Sequence, residues 1–403
     1  MAKPKLLYLC HRIPYPPNKG DKIRSFNLLK ALSAQYEVYL GCFVDDEYDF
    51  QYIDKLADWC VEYKFRRLRK SFAKLRGLSA FLTGKPITLP YYADHELQHW
   101  VHQTIAKHQI DTVMVFSSSM AQYVDFPQYS HLHRVIDFVD VDSDKWRQYA
   151  DNQRGVMSWV YRREFRQLQR LEQHYCSAFN YSLFVSPDEA ALFRQLMPAT
   201  LSNKIQPLLN GVDVQFFDPA AAMKEPEYPL QQPYLVFTGA MDYWANVDAV
   251  LWFCQQVWPQ LRAQRPDLHF YIVGGNPTSE VLALHGQQQV RVTGRVDDVR
   301  PYISEAALVV APLRIARGIQ NKVLEAMALN KKVVASDMAM EGINAPASLY
   351  LAQSDDAAEF LQLCLTMLQQ EDALCTNREW VQQHFTWPAT LTPLPGYLQH
   401  AEK

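Results

Sequence analysis

Residues 308–329 read LVVAPLRIARGIQNKVLEAMAL, a short apolar run, a loop and a helix in direct succession. The β-branched run Leu308–Ala311 predicts a buried strand, and Gly318 lies in the loop that leads to a helix around Lys322. Strands that alternate with helices build open parallel sheets, and ligands bind beyond the carboxyl ends of those strands. The stretch therefore predicts an α/β fold with a ligand site in this loop.

The same alternation extends in both directions along the chain. The other strands predicted for the second half are 234–238, 269–273, 290–293, 332–335 and 349–351, and its helices are 247–258 and 322–329. The first half has predicted strands at 5–9, 38–44, 112–116, 134–138 and 183–186, and helices at 22–33, 96–108 and 157–176. Each half is therefore predicted to be a doubly wound, Rossmann-like domain.

Length and composition limit the class of protein. A chain of 403 residues suits two domains, and a net charge of −3 argues against nucleic acid as a partner. Seven scattered cysteines, none in a C-x-x-C pair, indicate a reducing compartment. The apolar run Leu6–Leu9 is too short for a secretory signal, and the sequence has no apolar run of about 18 residues. We therefore expect a cytoplasmic protein.

A cluster of positive charge is predicted where the 308–329 loop meets its helix. Arg314, Arg317 and Lys322 lie near a helix N-terminus, which also attracts anions. Such a cluster can hold a diphosphate and stabilise it as a leaving group without a metal, so Arg317 and Lys322 are predicted to be catalytic. Glu325 could receive ribose hydroxyls or, alternatively, form an i,i+3 ion pair with Lys322. The predicted donor-binding residues are Gly239, Arg314, Gly318, Asn321, Lys322 and Glu325.

Residues 137–144, DFVDVDSD, place four aspartates after a predicted strand of the first half. Carboxylates at that edge can orient a sugar hydroxyl or accept its proton. If the segment stays extended, Asp140 and Asp142 lie on one face; alternatively the cluster caps a helix. We interpret Asp140 as catalytic and Asp137 and Asp142 as acceptor-binding.

The loop that follows the first strand is rich in proline and leads into a helix. Gly20 permits close approach of the backbone, and Lys19, Lys22 and Arg24 add positive charge at the helix start. This pattern favours a phosphate-bearing or acidic substrate over a merely solvated loop, and it lacks the G-x-G-x-x-G dinucleotide fingerprint. Lys19, Gly20 and Asp21 are predicted to bind the acceptor.

Residues Lys64–Arg76 contain seven basic side chains and no acidic one. As a helix, the segment would place Phe65, Leu68, Phe72 and Leu75 on one face, which is typical of an interfacial helix on an anionic membrane. An amphipathic helix packed on the sheet is the alternative. No cofactor or metal is predicted, because the histidine pairs 95/99 and 131/133 lack carboxylate companions.

Several motifs resemble retaining glycosyltransferase family 4. The interdomain pattern is matched by 210–213 (NGVD) with Phe216, Phe217 and Pro219, and the donor-binding pattern by 322–328 (KVLEAMA). Phe385-Thr386-Trp387 resembles the C-terminal F-x-W, and Ser186 with Glu189 matches the S-x-x-E segment. The resemblance implies a GT-B fold, with two domains that face each other across a cleft and a C-terminal helix that crosses back.

More narrowly, the chain is similar to the sugar transferases of PEP-CTERM/exosortase exopolysaccharide loci. The stretches that carry this similarity are 12–24, 137–143 and 239–244 with 246–248. Two departures stand out: Arg317 occupies the place of the family's first glutamate, and Met241–Trp244 lacks the usual basic residues. The diphosphate is therefore expected to depend on the arginines and lysine named above.

The resemblance gives the predicted domains and activity. Residues 1–210, completed by the C-terminal helix 385–403, would bind the acceptor, and residues 211–384 would bind the nucleotide diphosphate sugar. The predicted reaction is metal-independent, retaining transfer to a lipid-linked or oligosaccharide acceptor in exopolysaccharide synthesis, by an enzyme associated peripherally with the inner membrane. A sugar-nucleotide epimerase on the same fold and a non-catalytic sugar-nucleotide sensor are the alternatives.

Overall fold

A computed structural model describes residues 3–17, 19–152, 155–315, 318–371 and 375–399. The chain forms two compact units. The first comprises Met1–Leu209 with Leu391–Lys403, and the second comprises Asn210–Thr390. Each unit has its own parallel sheet with helices, so the α/β class predicted from the sequence is confirmed.

The first unit is built on a seven-stranded parallel sheet in the order β3-β2-β1-β4-β5-β6-β7. Its strands are β1 Lys5–Cys10, β2 Glu37–Val44, β3 Glu62–Arg67, β4 Thr112–Phe116, β5 His133–Val139, β6 Tyr181–Phe184 and β7 Ile205–Pro207. The central strands are buried almost throughout, which explains their nearly continuous apolar sequences.

Eight helices accompany these strands in the described part of residues 1–209. They are α1 Gly20–Gln35, α2 Lys70–Leu78, α3 Ala80–Thr83, α4 Thr88–Tyr91, α5 His95–His108, α6 Asp142–Asn152, α7 Val156–Ala178 and α8 Pro187–Leu196. Short 3₁₀ segments occupy Glu47–Asp58, Ser118–Tyr123, Pro127–Tyr129 and Ala199–Lys204. Side-chain caps fix two helix starts: Asp94 accepts from the Leu97 amide, and Ser186 accepts from the Glu189 amide.

The second unit has a six-stranded parallel sheet in the order β10-β9-β8-β11-β12-β13. Its strands are β8 Tyr234–Thr238, β9 His269–Val273, β10 Val290–Gly294, β11 Leu308–Ala311, β12 Val333–Ala335 and β13 Leu351–Gln353. Its helices are α9 Trp244–Trp252, α10 Trp258–Gln264, α11 Ser279–Leu282, α12 Arg300–Ser304, α13 Asn321–Ala328, α14 Ala357–Gln369, α15 Asn377–His384 and α16 Trp387–Thr390. A π-helical turn, Phe253–Val257, joins α9 to α10, and a 3₁₀ turn covers Met338–Met340.

The C-terminal segment returns to the first unit, where α17 (Leu394–Leu398) lies beside β5. His133 contacts the carbonyl oxygen of Tyr397 at 2.8 Å. The return begins at Leu391, later than the predicted residue 385. Residues 385–390 stay with the second unit because Thr386 forms a parallel bridge with Val212.

Two sequence-based predictions about local structure are wrong. The basic segment Lys64–Arg76 is not one helix, because its first part belongs to β3 and its second part to α2. The segment after β5 is not extended through Asp142, since α6 begins at that residue.

The seven cysteines are free thiols; six are buried and Cys254 is half-buried. Burial raises the pKa of the Cys60 and Cys254 thiols to about 12. Among the described residues, no helix combines the length and apolar character that crossing a bilayer requires.

Candidate functional site

In the second unit, the carboxyl ends of β8 and β9 come unusually close together. A Cβ atom on Gly274 would lie 1.7 Å from the carbonyl oxygen of Gly239, so only glycine permits this approach. A Cβ atom on Gly239 would in turn lie 2.7 Å from Nδ2 of Asn246 and 3.2 Å from Nζ of Lys322. The absence of a side chain on the predicted donor residue Gly239 therefore lets the Asn246 amide and the Lys322 ammonium approach the backbone closely.

Lys322 is held in place by groups from outside its own helix. Its Nζ donates to Oδ1 of Asn246 at 2.5 Å and lies 4.2 Å from the ring centroid of Phe237. Nδ2 of Asn246 donates to the carbonyl oxygen of Ala240 at 2.9 Å, which fixes the amide orientation. Burial lowers the pKa of Lys322 to about 7, against the opposing charge of Glu325. An anion bound here would restore the full positive charge.

Glu325 lies one turn further along α13. Among the described residues it forms no ion pair with Lys322 and accepts no hydrogen bond, so the simple i,i+3 ion pair is not the arrangement present. Burial raises the pKa of Glu325 to about 7. Oδ1 of Asn321, at the first position of α13, is buried without a hydrogen-bond partner in the described chain. The Glu325 carboxylate and Oδ1 of Asn321 can therefore both accept hydrogen bonds from a ligand.

The loop that leads into α13 is anchored by two acidic residues. Nε and Nη2 of Arg314, a predicted donor-binding residue, each donate a hydrogen bond to one oxygen of the Asp248 carboxylate. The Arg314 side chain is exposed. The amide of Gly318, whose φ is 64°, donates to Oε2 of Glu341 at 3.0 Å. Arg317, the second predicted catalytic cation, lies outside the described residues.

The first unit uses most of its predicted phosphate-binding charges internally. Lys22 is fully buried and pairs with Asp49 at 2.9 Å, and Arg24 pairs with Asp137. Only Lys19 is well exposed, 3.6 Å from Asp46. The interpretation of these three residues as one cluster of accessible charge is therefore wrong, because two of them neutralise buried carboxylates.

Asp137 does not have the position that acceptor binding requires. It has no exposed surface, and its two oxygens accept from Arg24 at 2.8 and 3.1 Å. Its predicted role as an acceptor-binding residue is contradicted by this burial. The Arg24–Asp137 pair also reaches the carbonyl oxygen of Leu208, so it joins α1, β5 and the segment after β7.

Asp140 and Asp142 are brought together by a lysine. Nζ of Lys145 lies 2.7 Å from Asp140 and 3.5 Å from Asp142. Burial opposes the charge on Lys145, but Asp142 and Asp140 raise its pKa well above the ordinary value. Asp140 and Asp142 are therefore both paired with the charged ammonium of Lys145 at the start of α6.

Gly20 and Asp21 open α1, where sequence reasoning missed a histidine. His11 follows β1, and its Nε2 lies 3.3 Å from Asp21, which also pairs with Arg12 at 2.5 Å. Burial opposes ionisation of Asp21, but His11 and Arg12 lower its pKa to about 2. No described residue within 4 Å would meet a Cβ atom on Gly20, so these residues leave the helix start open to a ligand.

The segment after β3 exposes apolar side chains rather than burying them. Phe72, Leu75, Leu78 and Leu82 are 63%, 66%, 59% and 92% exposed, and we call these four residues the α2–α3 patch. Leu68, predicted to share this face, is buried, and Phe65 contacts Phe50. Several predicted membrane cations are engaged, since Arg66 pairs with Asp94 and Lys70 with Asp45.

The remaining motif residues have structural roles that the distances explain. A Cβ atom on Gly211 would lie 2.5 Å from the amide nitrogen of Trp387, so the NGVD and F-x-W motifs meet within the second unit. Oε2 of Glu189 accepts from the Val141 amide at 2.8 Å and so ties α8 to the acidic loop. In the described part of the chain, no group of three or more His, Cys, Asp or Glu residues could hold a metal ion.

Comparisons with known proteins agree with this geometry. Residues 232–370 match the family model described as Glycosyl transferases group 1, and these residues include Gly239, Asn246, Lys322 and Glu325. No curated protein matches the chain in sequence.

Solved structures match over almost the whole chain. Anabaena Alr3699/HepE in complex with UDP is 13% identical with a TM-score of 0.65, and the match covers 98% of this chain and 99% of that one. Sucrose-phosphate synthase from Thermosynechococcus elongatus is 17% identical with a TM-score of 0.68, covering 98% of both chains. WaaG, a glycosyltransferase involved in lipopolysaccharide biosynthesis, is 14% identical with a TM-score of 0.62, covering 98% and 100%.

These likenesses confirm the predicted GT-B fold. The group 1 domain and the fold together identify the chain as a glycosyltransferase.

Proposed function

We propose that this glycosyltransferase moves a sugar from a nucleotide diphosphate sugar to a hydroxyl of a lipid-linked or oligosaccharide acceptor. The observation that carries the proposal is the placement of Lys322 and Asn246 beside Gly239, with Glu325 one turn further along α13, inside the group 1 domain. HepE has been solved with UDP and with UDP-glucose, which supports a nucleotide sugar as the donor. Retention and a place in exopolysaccharide synthesis are part of the proposal on the family resemblance alone.

The proposed role of Lys322 follows from the charge that develops in the reaction. The bond between the anomeric carbon and the phosphate oxygen breaks, and the nucleotide diphosphate leaves with the bonding electrons. A partly desolvated ammonium stabilises that charge more strongly than a fully solvated one would, because water screens it less. Lys322 binds the diphosphate in this scheme, and Glu325 accepts hydrogen bonds from the ribose hydroxyls.

On the acceptor side, the proposal assigns the hydroxyl to the first unit. The acceptor oxygen forms the new bond to the anomeric carbon and loses its proton. Asp140, which is 30% exposed, is the proposed acceptor of that proton, and Lys19, Gly20 and Asp142 are proposed to contact the acceptor. No metal is required in this scheme.

The test of transfer is incubation with a panel of nucleotide sugars, with and without lipid extract, followed by measurement of released nucleotide and of glycosylated product. Transfer is expected with one donor class and to be stimulated by lipid extract. Lys322→Ala should lower turnover by about 10²–10³-fold, because it removes charge where charge develops. Lys224→Ala, which removes an exposed lysine of the same unit, is the matched control.

Other outcomes of that test select the alternatives. An isomerised nucleotide sugar with no acceptor product would indicate an epimerase, and binding without turnover would indicate a sensor. Unchanged turnover in Lys322→Ala would remove the assigned role of this lysine. The anomeric configuration of the product, read by NMR, decides whether the reaction retains configuration.

We also propose that the protein works peripherally at the cytoplasmic face of the inner membrane, through the α2–α3 patch. Four large apolar side chains at roughly helical spacing are exposed there, and Arg69, Lys70 and Lys74 are exposed beside them. Apolar residues flanked by lysine and arginine bind the interface of anionic bilayers.

Sedimentation with phosphatidylglycerol and phosphatidylcholine vesicles tests this contact. The double variant Leu78→Ser/Leu82→Ser should bind phosphatidylglycerol vesicles roughly tenfold or more weakly. Each change removes a leucine side chain that would be buried in the bilayer interface on binding. Leu282→Ser changes an exposed leucine of the second unit and should leave binding unchanged. Equal binding of the double variant and the wild type would show that the α2–α3 patch does not bind the membrane.

A further inference from the structure

Three arginines form a row along one face of α7. Arg162, Arg166 and Arg170 are spaced four residues apart, so they lie on one side of the helix over about 12 Å. All three are exposed. Among the described residues none of them forms an ion pair or donates a hydrogen bond. We call these residues the α7 arginine row.

Ten other arginines of the described chain have a carboxylate partner, which these three lack. Arg12, Arg24, Arg66, Arg67, Arg147, Arg163, Arg265, Arg300, Arg314 and Arg378 are each paired with a carboxylate. Like charges four residues apart on a helix repel each other. A row of three therefore destabilises α7 unless an anion from outside the chain neutralises it.

The row borders a concavity rather than a flat surface. A cavity of about 380 Å³ is lined by Trp159, Arg162, Arg163, Arg166, Gln167 and Arg170. No carboxylate is among these lining residues, so the cavity is basic throughout. Guanidinium groups bind phosphate oxygens through paired N–H donors, which makes phosphate the anion that best fits this lining.

One end of the row meets exposed apolar side chains. The rings of Trp159 and Phe81 stack with centroids 6.4 Å apart, and Trp159 is 61% exposed. Arg163 donates to the carbonyl oxygens of Ala80 and Lys85 and lies over the Phe81 ring, so α7 is bound to α3, which carries Leu82 of the α2–α3 patch. The phosphate-binding face and the apolar face are thus neighbouring parts of one surface.

The other end of the row opens into a larger cavity with a mixed polar and apolar lining. Its volume is about 830 Å³, and it shares Gln167 and Arg170 with the basic one. Carboxylates, amides and aromatic rings line it, among them Asp125, Gln98 and Phe126. Such groups bind sugar hydroxyls and ring faces. The larger cavity also reaches Ser79 and Thr83, so the apolar side chains, the arginine row and this cavity adjoin one another on one surface.

We propose that the α7 arginine row binds the phosphate groups that join the acceptor glycan to its lipid. The inference rests on the proposed lipid-linked acceptor and specifies how it is recognised. The chain of that lipid would lie toward the α2–α3 patch and Trp159, its phosphates on the arginines, and its first sugars in the larger cavity, where polar groups and aromatic rings are both present. A bulk phospholipid would use the first two parts but not the third.

The experiment measures vesicle binding by the full-length protein without any donor, so that its result does not depend on transfer. Neutral phosphatidylcholine vesicles are compared with the same vesicles carrying a long-chain isoprenyl diphosphate, and with phosphatidylglycerol vesicles of equal surface charge. The wild type should prefer the isoprenyl diphosphate vesicles. The triple change Arg162→Gln, Arg166→Gln and Arg170→Gln should weaken that binding on the order of a hundredfold, as expected for three arginines near headgroups.

Two further variants keep the result interpretable. Lys30→Gln, Lys55→Gln and Lys107→Gln remove three exposed charges elsewhere on the same unit and should leave binding unchanged. Arg162→Lys, Arg166→Lys and Arg170→Lys keep the charge and should restore binding in part. Thermal unfolding of each variant shows that it is folded.

Three results would overturn the inference: equal binding of the glutamine variant and the wild type, equal binding to phosphatidylglycerol and isoprenyl diphosphate vesicles, or full competition by free inorganic diphosphate at the same concentration as the lipid. Arginine-dependent vesicle binding in a protein that transfers no sugar would instead leave this inference standing and remove the proposed transfer.

Discussion

The ammonium nitrogen of Lys322 lies 2.5 Å from the side-chain oxygen of Asn246, and the amide of Asn246 is itself held by the carbonyl oxygen of Ala240. The lysine is therefore oriented by the segment that follows β8, although it belongs to α13. A half-buried ammonium with a single neutral hydrogen-bond acceptor is incompletely satisfied, which prepares it for an anionic ligand.

Asn246→Ala should lower turnover by roughly 10- to 100-fold, because it removes a hydrogen bond to a charged group that must be positioned. The double variant Asn246→Ala/Lys322→Ala should be no slower than Lys322→Ala alone, since both changes act through one contact. Steady-state rates at saturating donor measure this coupling. Losses that simply multiply would show that Asn246 acts independently of the lysine.

Glu325→Gln should weaken binding of the nucleotide diphosphate by roughly tenfold, because the neutral amide accepts hydrogen bonds from ribose hydroxyls less strongly than a carboxylate does. Calorimetric titration gives the affinity, and Glu379→Gln on α15 is a matched exposed control. Equal affinity for the wild type and Glu325→Gln would exclude a contact between Glu325 and the nucleotide.

The same variant should change how stability depends on pH. The pKa of Glu325 in the folded protein, about 7, lies above its unfolded value, so its ionisation destabilises the fold as pH rises through 7. Glu325→Gln removes this cost and should raise Tm at pH 8 and above but much less at pH 5. Each kcal/mol gained corresponds to about 2–4 °C in a unit of this size. A Tm difference independent of pH would contradict the assignment.

Activity should survive excess EDTA. Lys322 and the start of α13 supply positive charge for the diphosphate, and the Asp140/Asp142 pair already holds the Lys145 ammonium at 2.7 and 3.5 Å. A metal would have to displace that lysine. Initial rates with EDTA, and after Mg²⁺ or Mn²⁺ is restored, test the prediction. Metal-dependent recovery would point to a site formed by other residues.

Asp137→Asn should destabilise the first unit by about 3–5 kcal/mol, because it leaves the buried Arg24 without its charged partner. Urea unfolding measures the loss, and Asp54→Asn, an exposed aspartate of the same unit, is the control. Unchanged stability combined with weaker acceptor binding would return Asp137 to the role inferred from sequence.

The parts of the fold that were predicted correctly are those whose signal is local. Strands such as β8 and β11 are short apolar runs between loops. Both of their faces are buried, which explains why apolar residues occupy nearly every position. The edge strand β3 was mistaken for a helix because its sequence, EYKFRR, has no apolar run and its basic residues continue without a break into α2. Charged residues at a sheet edge discourage pairing with other chains, and they also make the strand difficult to recognise from its sequence.

Only those residues of the candidate site that belong to a local sequence motif could be predicted. Lys322 and Glu325 follow from their helix and their motif. Asn246 was missed because it meets Lys322 across a separation of 76 residues. The burial of Arg24 against Asp137 likewise depends on packing between distant elements.

The burial of the native thiols makes the chain unusually suitable for site-specific labelling. Six of the seven cysteines are buried, and the thiol of the half-buried Cys254 has its pKa raised to about 12, so it forms little of the reactive thiolate at neutral pH. A single cysteine introduced at Leu82, which is 92% exposed, would therefore carry a fluorophore almost alone. The emission colour of an environment-sensitive dye at that position would report directly whether the side chain enters a lipid bilayer.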